Sequence, residues 1–284
     1  MAGAGMKDIK RRIKSVESTR QITKAMELVA SSKMRRAKER AERTQPQFRL
    51  LYETISDIAS RNRDLSSTYV RARKQDHACV VVIAGDRGLA GGYNSNVFKT
   101  AGALLEGLPS PIVVPIGKKA GEFYSKRKYE ILDNMQISVD ELGMAQIFKL
   151  ADRLCRQYKS GRFDSLYVVY TKFVSALTQE PSSIQVFPIS AVGDSNAKKG
   201  EILYEPSAEA VFDKIVPQYV AGLLNGAVAE SNASEQAARR NAMESATDNA
   251  DEMIEQLGLK YNRARQGAIT QEITEIVAGA QAAQ

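Results

Sequence analysis

The stretch ATDNADEMIEQLGLKYNRARQGA, residues 246–268, decides the fold because its apolar side chains recur with the period of a helical seam. Steps of four, three, four, four, three and four residues connect Ala246, Ala250, Met253, Leu257, Tyr261, Ala264 and Ala268. This spacing is typical of a helix that packs one apolar stripe against a second helix, as in a coiled coil. Ile276 and Ala280 continue the stripe, so the pattern predicts a long C-terminal helix.

A second seam lies near the other end of the chain. Steps of three and four residues connect Met6, Ile9, Ile13 and Val16, and after the polar residues 18–21 the pattern resumes at Ile22, Met26 and Val29. We expect the Met and Ile side chains of both runs to pack in the seam, and the spacing to slip at residues 18–21.

Opposite charges favour pairing of the two ends. Residues 7–49 carry 14 basic and 5 acidic side chains, whereas residues 207–284 carry 6 basic and 11 acidic ones. Two segments of opposite charge suit an antiparallel pair as well as they suit a nucleic-acid partner. The stabilisation from each exposed ion pair is only about 0.2–1 kcal/mol.

Proline positions separate the ends from the middle. No proline precedes Pro46 and none follows Pro217, while six others lie between them. Helix interiors exclude proline because it lacks the backbone N–H and its ring crowds the preceding turn. The chain is therefore predicted to consist of an N-terminal coiled-coil helix over residues 1–66, an α/β domain over residues 77–206, and a C-terminal coiled-coil helix over residues 207–284.

The middle segment alternates short apolar runs with helical patterns. Strands are predicted at residues 77–84, 112–116, 166–170 and 184–187, and helices at residues 95–105, 118–127 and 144–158. Alternation of this kind is typical of a small, mostly parallel, Rossmann-like sheet. The predicted fold class is thus α/β: a long antiparallel coiled coil of the terminal helices plus a small α/β domain.

Composition excludes several classes of protein. No run of 18 apolar residues occurs, so no membrane-spanning helix is expected, and residues 1–14 lack the apolar core of a secretory signal. Two cysteines, Cys79 and Cys155, and the single His77 are too few for a zinc site or a disulfide framework. We expect both thiols to be buried and inert in a soluble, cytosolic chain.

A glycine-rich loop is the one candidate nucleotide site. The sequence GDRGLAGGYN, residues 85–94, follows a predicted strand and precedes a predicted helix. No Lys-Ser or Lys-Thr pair closes it, and the glycine spacing differs from that of the dinucleotide fingerprint. A tight strand-to-helix turn is the favoured interpretation, and nucleotide binding is the alternative. Since no catalytic constellation is evident elsewhere, an enzyme is the weaker class.

Three blocks of the sequence together resemble the γ subunits of F-type ATP synthases. The first is RQITKAMELV at residues 20–29, followed by SKM at 32–34, and the second is DRGLAGGYN at 86–94. The third runs through ASEQ at 233–236, AM at 242–243, TDN at 247–249, YNRARQ at 261–266 and ITQEITEIV at 269–277. The family usually has cysteine at the position of Ala90, a change that leaves the glycines of the loop in place.

The resemblance implies a rotating central shaft rather than an enzyme. In the family, the terminal helices form an antiparallel coiled coil inside a ring of three catalytic (β) and three non-catalytic (α) subunits. The foot of the shaft binds the ε subunit and the c-ring of the membrane rotor. The implied location is the cytoplasmic face of a bacterial cell membrane. No cofactor, metal, nucleic acid or direct small-molecule substrate is expected for the chain itself.

The resemblance also implies contact residues. Arg265 and Gln266 match the family pair that hydrogen-bonds a loop of a catalytic subunit, and Thr270 and Glu272 lie within two turns of that pair. Arginine suits this role because its guanidinium group binds a carboxylate with two hydrogen bonds.

At the N-terminal end, Lys24 and Met26 match positions that face the lever region of the catalytic subunits, which is acidic in the family. From charge alone, we expect Lys33, Arg35 and Arg36 to face the same region. An ordinary solvated helix face is the alternative that the pattern leaves open.

Two rival functions predict different behaviour of the purified chain. A basic coiled-coil protein that binds nucleic acid predicts binding that weakens steeply with salt, and it leaves the acidic C-terminal segment unexplained. A nucleotide-dependent enzyme that uses residues 85–92 predicts stabilisation of the isolated chain by its ligand. The shaft interpretation predicts neither result.

Overall fold

The computed structural model describes residues 2–61, 65–71, 73, 76–132, 138–189 and 204–282. The chain divides into two compact units. We call Met1–Ala30 with Arg239–Gln284 the two-helix unit, and Ser31–Ala238 the sheet unit. The predicted boundaries at residues 1–66, 77–206 and 207–284 remain a prediction, and they include residues 62–64 and 190–203, which lie outside the described part.

Five helices and five strands follow one another within the described residues. Their bounds are α1 Ala2–Arg61, β1 Ala78–Ile83, α2 Tyr93–Glu106, β2 Ile112–Ile116, α3 Lys118–Ser125, β3 Glu130–Ile131, α4 Met144–Lys159, β4 Ser165–Phe173, β5 Gln179–Phe187 and α5 Ala208–Ala282. The predicted fold class is confirmed: a long helix stands at each end, and a mostly parallel sheet lies between them.

Both long helices contain a proline, although helix interiors generally exclude it. Pro46 lies inside α1 and Pro217 lies inside α5. An interior proline costs a helix about 3 kcal/mol. Near Pro217, however, the side chains of Phe212, Val216 and Val220 are fully buried. Because burial of each such side chain stabilises the fold by about 1.5–3 kcal/mol, tertiary packing outweighs the local cost.

In the two-helix unit, α1 and α5 run antiparallel. Arg20 forms an ion pair with Asp251, and the hydroxyl oxygens of Thr23 and Thr247 lie 2.8 Å apart. Residue numbers therefore rise along α1 while they fall along the facing part of α5. Among the predicted seam residues of α5, Ala250 is buried and Met253 is 50% exposed.

The N-terminal seam continues without the predicted slip. The side chains of Val16 and Met26 are half-buried, and those of Thr23 and Ala30 are buried. Val16, Thr23 and Ala30 are seven residues apart, which is the heptad period. The prediction that Ile22 and Val29 pack in the seam is wrong, because these side chains are 57% and 58% exposed. The prediction relied on the apolar residues alone. The helix instead buries Thr23, whose hydroxyl has a hydrogen-bond partner in Thr247.

The sheet of the sheet unit has the strand order β3-β2-β1-β4-β5. β1 pairs in parallel with β2 and β4, so that Cys79 stands opposite Ile112 on one side and Leu166 on the other. β2 pairs in parallel with β3, and β4 pairs antiparallel with β5. Every residue of β1 is buried, as expected for a parallel strand that is covered on both faces.

Helices cover both faces of the sheet. Val80 and Val82 of β1 pack in one cluster with Val97 of α2 and Tyr124 of α3. On the opposite face, Val81 and Ile83 lie in a second cluster with α4 and with parts of α1 and α5. Members from the helices include Leu154, Ile58 and Val220. The terminal helices of this unit are thus part of the core of the α/β layers.

Candidate functional site

The carboxyl edge of the sheet is where an open α/β fold binds its ligand, at the point where the strand order reverses. Here that point lies between β1 and β4, and α5 occupies it. The backbone N–H of Thr171 in β4 donates to the hydroxyl of Ser231 at 3.2 Å, and the hydroxyl of Ser234 donates to the carbonyl of Thr171 at 3.2 Å. All three residues are buried. The usual nucleotide crevice is therefore filled by the chain's own helix.

The glycine loop is held as a tight turn beside this helix. The N–H of Gly85 donates to the side-chain oxygen of Asn94 at 2.9 Å, and the hydroxyl of Tyr93 donates to the carbonyl of Ser231 at 3.0 Å. A Cβ atom on Gly85 would lie 2.6 Å from the side chain of Glu235, which is only 4% exposed. Glycine is needed at residue 85 because α5 approaches its backbone so closely. The geometry favours the turn interpretation over nucleotide binding.

The predicted contact residues near the end of α5 lie at its surface. Arg265, Gln266, Thr270 and Glu272 are all exposed. The hydroxyl of Thr270 donates to the backbone carbonyl of Gln266 at 3.0 Å, which orients Thr270 along the helix. The structure brings the four side chains onto two adjacent turns, where they are accessible to another protein.

Two predicted residues of α1 lie in the same two-helix unit. The ammonium group of Lys24 is 3.0 Å from a carboxylate oxygen of Glu27, and the side chain of Lys24 is 57% exposed against 11% for Glu27. Met26 is half-buried. Lys24 thus keeps Glu27 paired within the seam while much of its own side chain remains accessible.

The predicted basic residues Lys33, Arg35 and Arg36 of the sheet unit differ in their surroundings. Arg35 and Arg36 are exposed on α1. Lys33 instead donates to a carboxylate oxygen of Asp140 at 2.5 Å, although 107 residues separate the two. The expectation that all three face a partner therefore remains a prediction, and Lys33 has an acidic partner within its own chain.

Comparison with known proteins identifies the family. A family model described as "ATP synthase" matches residues 5–283. An ATP synthase gamma chain of Ruminococcus albus is 49% identical over 277 residues, with 96% of each chain covered. A gamma chain of Alkaliphilus metalliredigens is 47% identical, with 99% of each chain covered. The chain belongs to the ATP synthase gamma chain family.

Solved structures of ATP synthases share the fold. A chain of the Euglena gracilis mitochondrial ATP synthase, solved with the F1 part and the c-ring, superposes with a TM-score of 0.67. That match is 18% identical and covers 99% of this chain and 95% of the other. A chain from the central stalk and c-ring of the Tetrahymena thermophila enzyme gives a TM-score of 0.59 and covers 79% of this chain. The arrangement of helices and sheet is thus shared with chains of solved ATP synthases.

An apolar stripe lies on the surface of α5 near its end. Ile269, Ile273, Ile276 and Val277 are between 46% and 68% exposed, and their spacing places them on one side of the helix. Exposed apolar side chains grouped in this way mark interaction surfaces. The sequence carries this signal as spacings of four, seven and eight residues. The prediction that Ile276 continues the internal seam is wrong, because its side chain is 68% exposed.

The sheet unit also contains an apolar cavity of about 490 Å³ between α1, α5 and the antiparallel strands. Its lining includes Phe48, Tyr52, Phe173, Ile184, Tyr219 and Glu230. Burial raises the pKa of the Glu230 carboxyl group above its usual range, although the N–H of Phe173 donates to it at 3.4 Å. Burial also raises the pKa of Tyr219 to about 12.

Neither a membrane-spanning helix nor a metal cluster is found in the described residues. Across the ranges that the structure describes, no helix has both the length and the apolar character needed to cross a bilayer. Within those same ranges, no group of His, Cys, Asp and Glu side chains is arranged to hold a metal ion.

Proposed function

We propose that this gamma chain is the rotating central shaft of an F-type ATP synthase. It couples ion flow through the membrane rotor to ATP synthesis or hydrolysis at the catalytic subunits. The observation that carries the proposal is the similarity to gamma chains along nearly the whole length, which includes both terminal helices and the sheet. The chain itself is non-catalytic in this proposal, since α5 fills the crevice where a nucleotide would bind.

Coupling requires contacts that differ from one catalytic subunit to the next. The two-helix unit is suited to this because its surface is asymmetric: α1 presents Lys24, whereas α5 presents Arg265 and Gln266. As the shaft turns, each catalytic subunit meets these side chains in sequence. Every tenfold change in nucleotide affinity requires a difference of about 1.4 kcal/mol between the states. A few charged hydrogen bonds, at about 1.5–3 kcal/mol each, are sufficient.

The proposed contacts divide between the two ends of the chain. Near the end of α5, Arg265 and Gln266 bind a loop of a catalytic subunit, and Thr270 and Glu272 extend that surface. On α1, Lys24 and Met26 face the acidic lever of a catalytic subunit. Arg35 and Arg36 add positive charge for the same lever. Lys33 contributes less to that contact, because Asp140 neutralises it within the chain.

The remaining partners lie at the foot of the shaft. The sheet unit binds the ε subunit and the c-ring, and the chain is held at the cytoplasmic face of the bacterial membrane through the c-ring. This arrangement needs no membrane-spanning helix in the gamma chain itself. The ring of three α and three β subunits encloses the two-helix unit.

Reconstitution with the α and β subunits of the same synthase tests the proposal. The purified chain is mixed with these subunits, the complex is isolated, and ATP hydrolysis is measured. The paired variant Arg265→Ala with Gln266→Ala is expected to assemble but to hydrolyse ATP about 10–100-fold more slowly, if it loses one charged hydrogen bond that acts in the transition state.

A matched control uses another exposed polar pair of α5. Gln271 donates to Glu275 at 2.9 Å, and at about 100° per residue this pair lies away from Gln266 and Thr270. Replacing Gln271 and Glu275 by alanine should leave the rate within about twofold of the wild type, as is usual for exposed surface changes. Failure of the wild-type chain to co-purify with the ring would refute the shaft assignment. Equal losses in both paired variants would refute only the assigned contacts.

A further inference from the structure

The segment 138–143, which precedes α4, is tied to the carboxyl edge of the sheet. One carboxylate oxygen of Asp86 accepts the N–H of Val139 at 2.7 Å, and the other accepts the N–H of Lys118 at 3.0 Å. The side chains of Val139 and Leu142 are almost fully buried. Asp86 follows β1 and Lys118 begins α3, so the segment is anchored to two neighbouring elements of the α/β layers. We call residues 138–143 the clip.

The clip also holds both terminal helices. One carboxylate oxygen of Asp140 accepts a hydrogen bond from the ammonium group of Lys33 in α1 at 2.5 Å. The other accepts one from the side-chain amide of Asn232 in α5 at 2.6 Å. The guanidinium group of Arg40 donates to the carbonyl of Leu142 at 2.9 Å. A single carboxylate therefore bridges α1 and α5, and the sheet edge carries that carboxylate.

These bonds differ from the apolar packing beside them in how they resist displacement. The apolar contacts of Ile58 and Val220 in the core hold the layers together, but burial is not directional, and packed elements can slide by small shear motions. A short charge-assisted hydrogen bond loses its energy as soon as its donor moves sideways. The clip is therefore expected to add directional resistance to twisting of the sheet about the helices, beside the hydrogen bonds of Thr171 with Ser231 and Ser234.

We propose that Asp140 transmits torque between the α/β layers and the two terminal helices of the sheet unit. The load enters at the sheet, passes through Asp86 and Val139 to Asp140, and leaves through Lys33 and Asn232. Asp140 is a positioning residue in this account, since it touches no nucleotide. The inference rests on the proposed function, because only a rotating shaft carries such a load. It also gives a role to Asp86 of the glycine-rich loop.

The test measures the torsional stiffness of the assembled rotor. The ring of α and β subunits is fixed to a surface, and a probe is attached to a cysteine introduced at the exposed Lys128. The chain's own Cys79 and Cys155 are buried and do not compete for the label. With rotation stalled, the variance of the probe angle is inversely proportional to stiffness.

The expected changes follow from the number of polar bonds that the clip makes to the helices. Of the three bonds described above, Asp140→Ala removes two, so the variance that these bonds restrain should rise about threefold if they are of equal stiffness. Lys33→Ala and Asn232→Ala each remove one of these bonds and should raise it about 1.5-fold. The control Asp152→Ala, which breaks an exposed ion pair with Arg156 inside α4, should leave the variance unchanged. Maximal ATP hydrolysis without load should stay within about twofold for Asp140→Ala, Asn232→Ala and Asp152→Ala, since surface changes away from the catalytic contacts have small effects.

The outcomes separate this inference from the proposed function. If the wild-type rotor turns and Asp140→Ala has the wild-type variance, the clip carries no torque and the shaft assignment stands. If Asp140→Ala fails to assemble, the two single-bond variants decide, and unchanged variance in both overturns the inference. A wild-type chain that neither assembles nor rotates overturns both. A general loss of stability would instead lower the thermal midpoint of the variants, and the variance of the probe angle would then not follow the graded order given above.

Discussion

The close approach of α5 to the glycine loop is tested by replacing Gly85 with alanine. The new Cβ atom would lie 2.6 Å from the Cδ atom of Glu235 and 2.8 and 2.9 Å from its two carboxylate oxygens. The loop has little room to retreat, because the N–H of Gly85 donates to Asn94 and its carbonyl accepts the N–H of Lys119 at 3.1 Å. The Glu235 side chain is 4% exposed, so it too must move within a packed environment.

The size of the effect follows from two opposing contributions. Overpacking of a closed site costs about 1–3 kcal/mol. Replacing glycine by alanine lowers the entropy of the unfolded chain, which stabilises the fold by about 0.4–1 kcal/mol. Gly85→Ala should therefore lower the free energy of unfolding by about 1–2 kcal/mol. When Glu235 is itself replaced by alanine, the obstructing atoms are gone and Gly85→Ala should be neutral or slightly stabilising.

A double-mutant cycle measures this coupling directly. Urea unfolding of the wild type, Gly85→Ala, Glu235→Ala and the double variant is followed by circular dichroism. Hydrogen exchange of residues 78–85 assigns the transition to the sheet unit. We expect a coupling energy of about 1–2 kcal/mol, well above the 0.3–0.5 kcal/mol scatter of independent sites. Additive effects of the two substitutions would refute the argument that Glu235 is wedged against the backbone of Gly85.

Three further predictions concern the sheet unit. Gly117→Ala should lower the free energy of unfolding, measured in urea, by about 2–5 kcal/mol. The φ angle of Gly117 is +90°, and a Cβ atom there would lie 2.1 Å from the carbonyl oxygen of Ala84. The control Gly102→Ala lies in open space within α2 and should raise the free energy of unfolding by about 0.5–1 kcal/mol. Because the pKa of Glu230 is raised above 4.5, its contribution to stability is present below that pH and is lost as the pH rises through the raised value. Glu230→Gln removes the buried charge, so the melting temperature of this variant relative to the wild type should rise as the pH rises above 4.5. A difference in melting temperature that does not change with pH would contradict this. Burial raises the pKa of Cys155 to about 12 and raises the pKa of Cys79 as well. A maleimide at pH 8 should therefore label neither thiol until urea unfolds the chain. Rapid labelling of the folded protein would contradict their burial.

The parts of the fold that were predictable are those in which local chemistry and tertiary packing agree. The apolar run at residues 78–83 is a parallel strand because every side chain in it is buried. The helix predicted at residues 144–158 is found at Met144–Lys159, with its apolar face against the sheet. In these segments the period of the apolar residues coincides with the period of burial. The two long helices were also predicted from the spacing of their apolar residues, although burial follows that spacing only in part.

The failures occur where a polar group replaces an apolar one in a buried position. Thr23 lies in the seam because Thr247 satisfies its hydroxyl, and Ile22 is left in solvent. Glu235 is buried beside Gly85, although a carboxylate in sequence predicts a surface position. Burial of a polar group is tolerable only when a partner is present, and that partner lies far away in sequence. Apolar periodicity carries no information about such partners.

Long-range pairs within the chain also limit how well the candidate contact residues can be predicted from the sequence. Lys33, Arg35 and Arg36 form one basic cluster in the sequence, but Asp140 pairs only with the first of them in the contacts described above. No local pattern identifies Asp140, because its position depends on Asp86 holding Val139 at the edge of the sheet. Whether a charged surface side chain is available to a partner can therefore be judged only when its long-range pairs within its own chain are known. For this chain, those pairs give Lys33 a partner in the internal bridge between α1 and α5, and its contact with the lever stays a prediction.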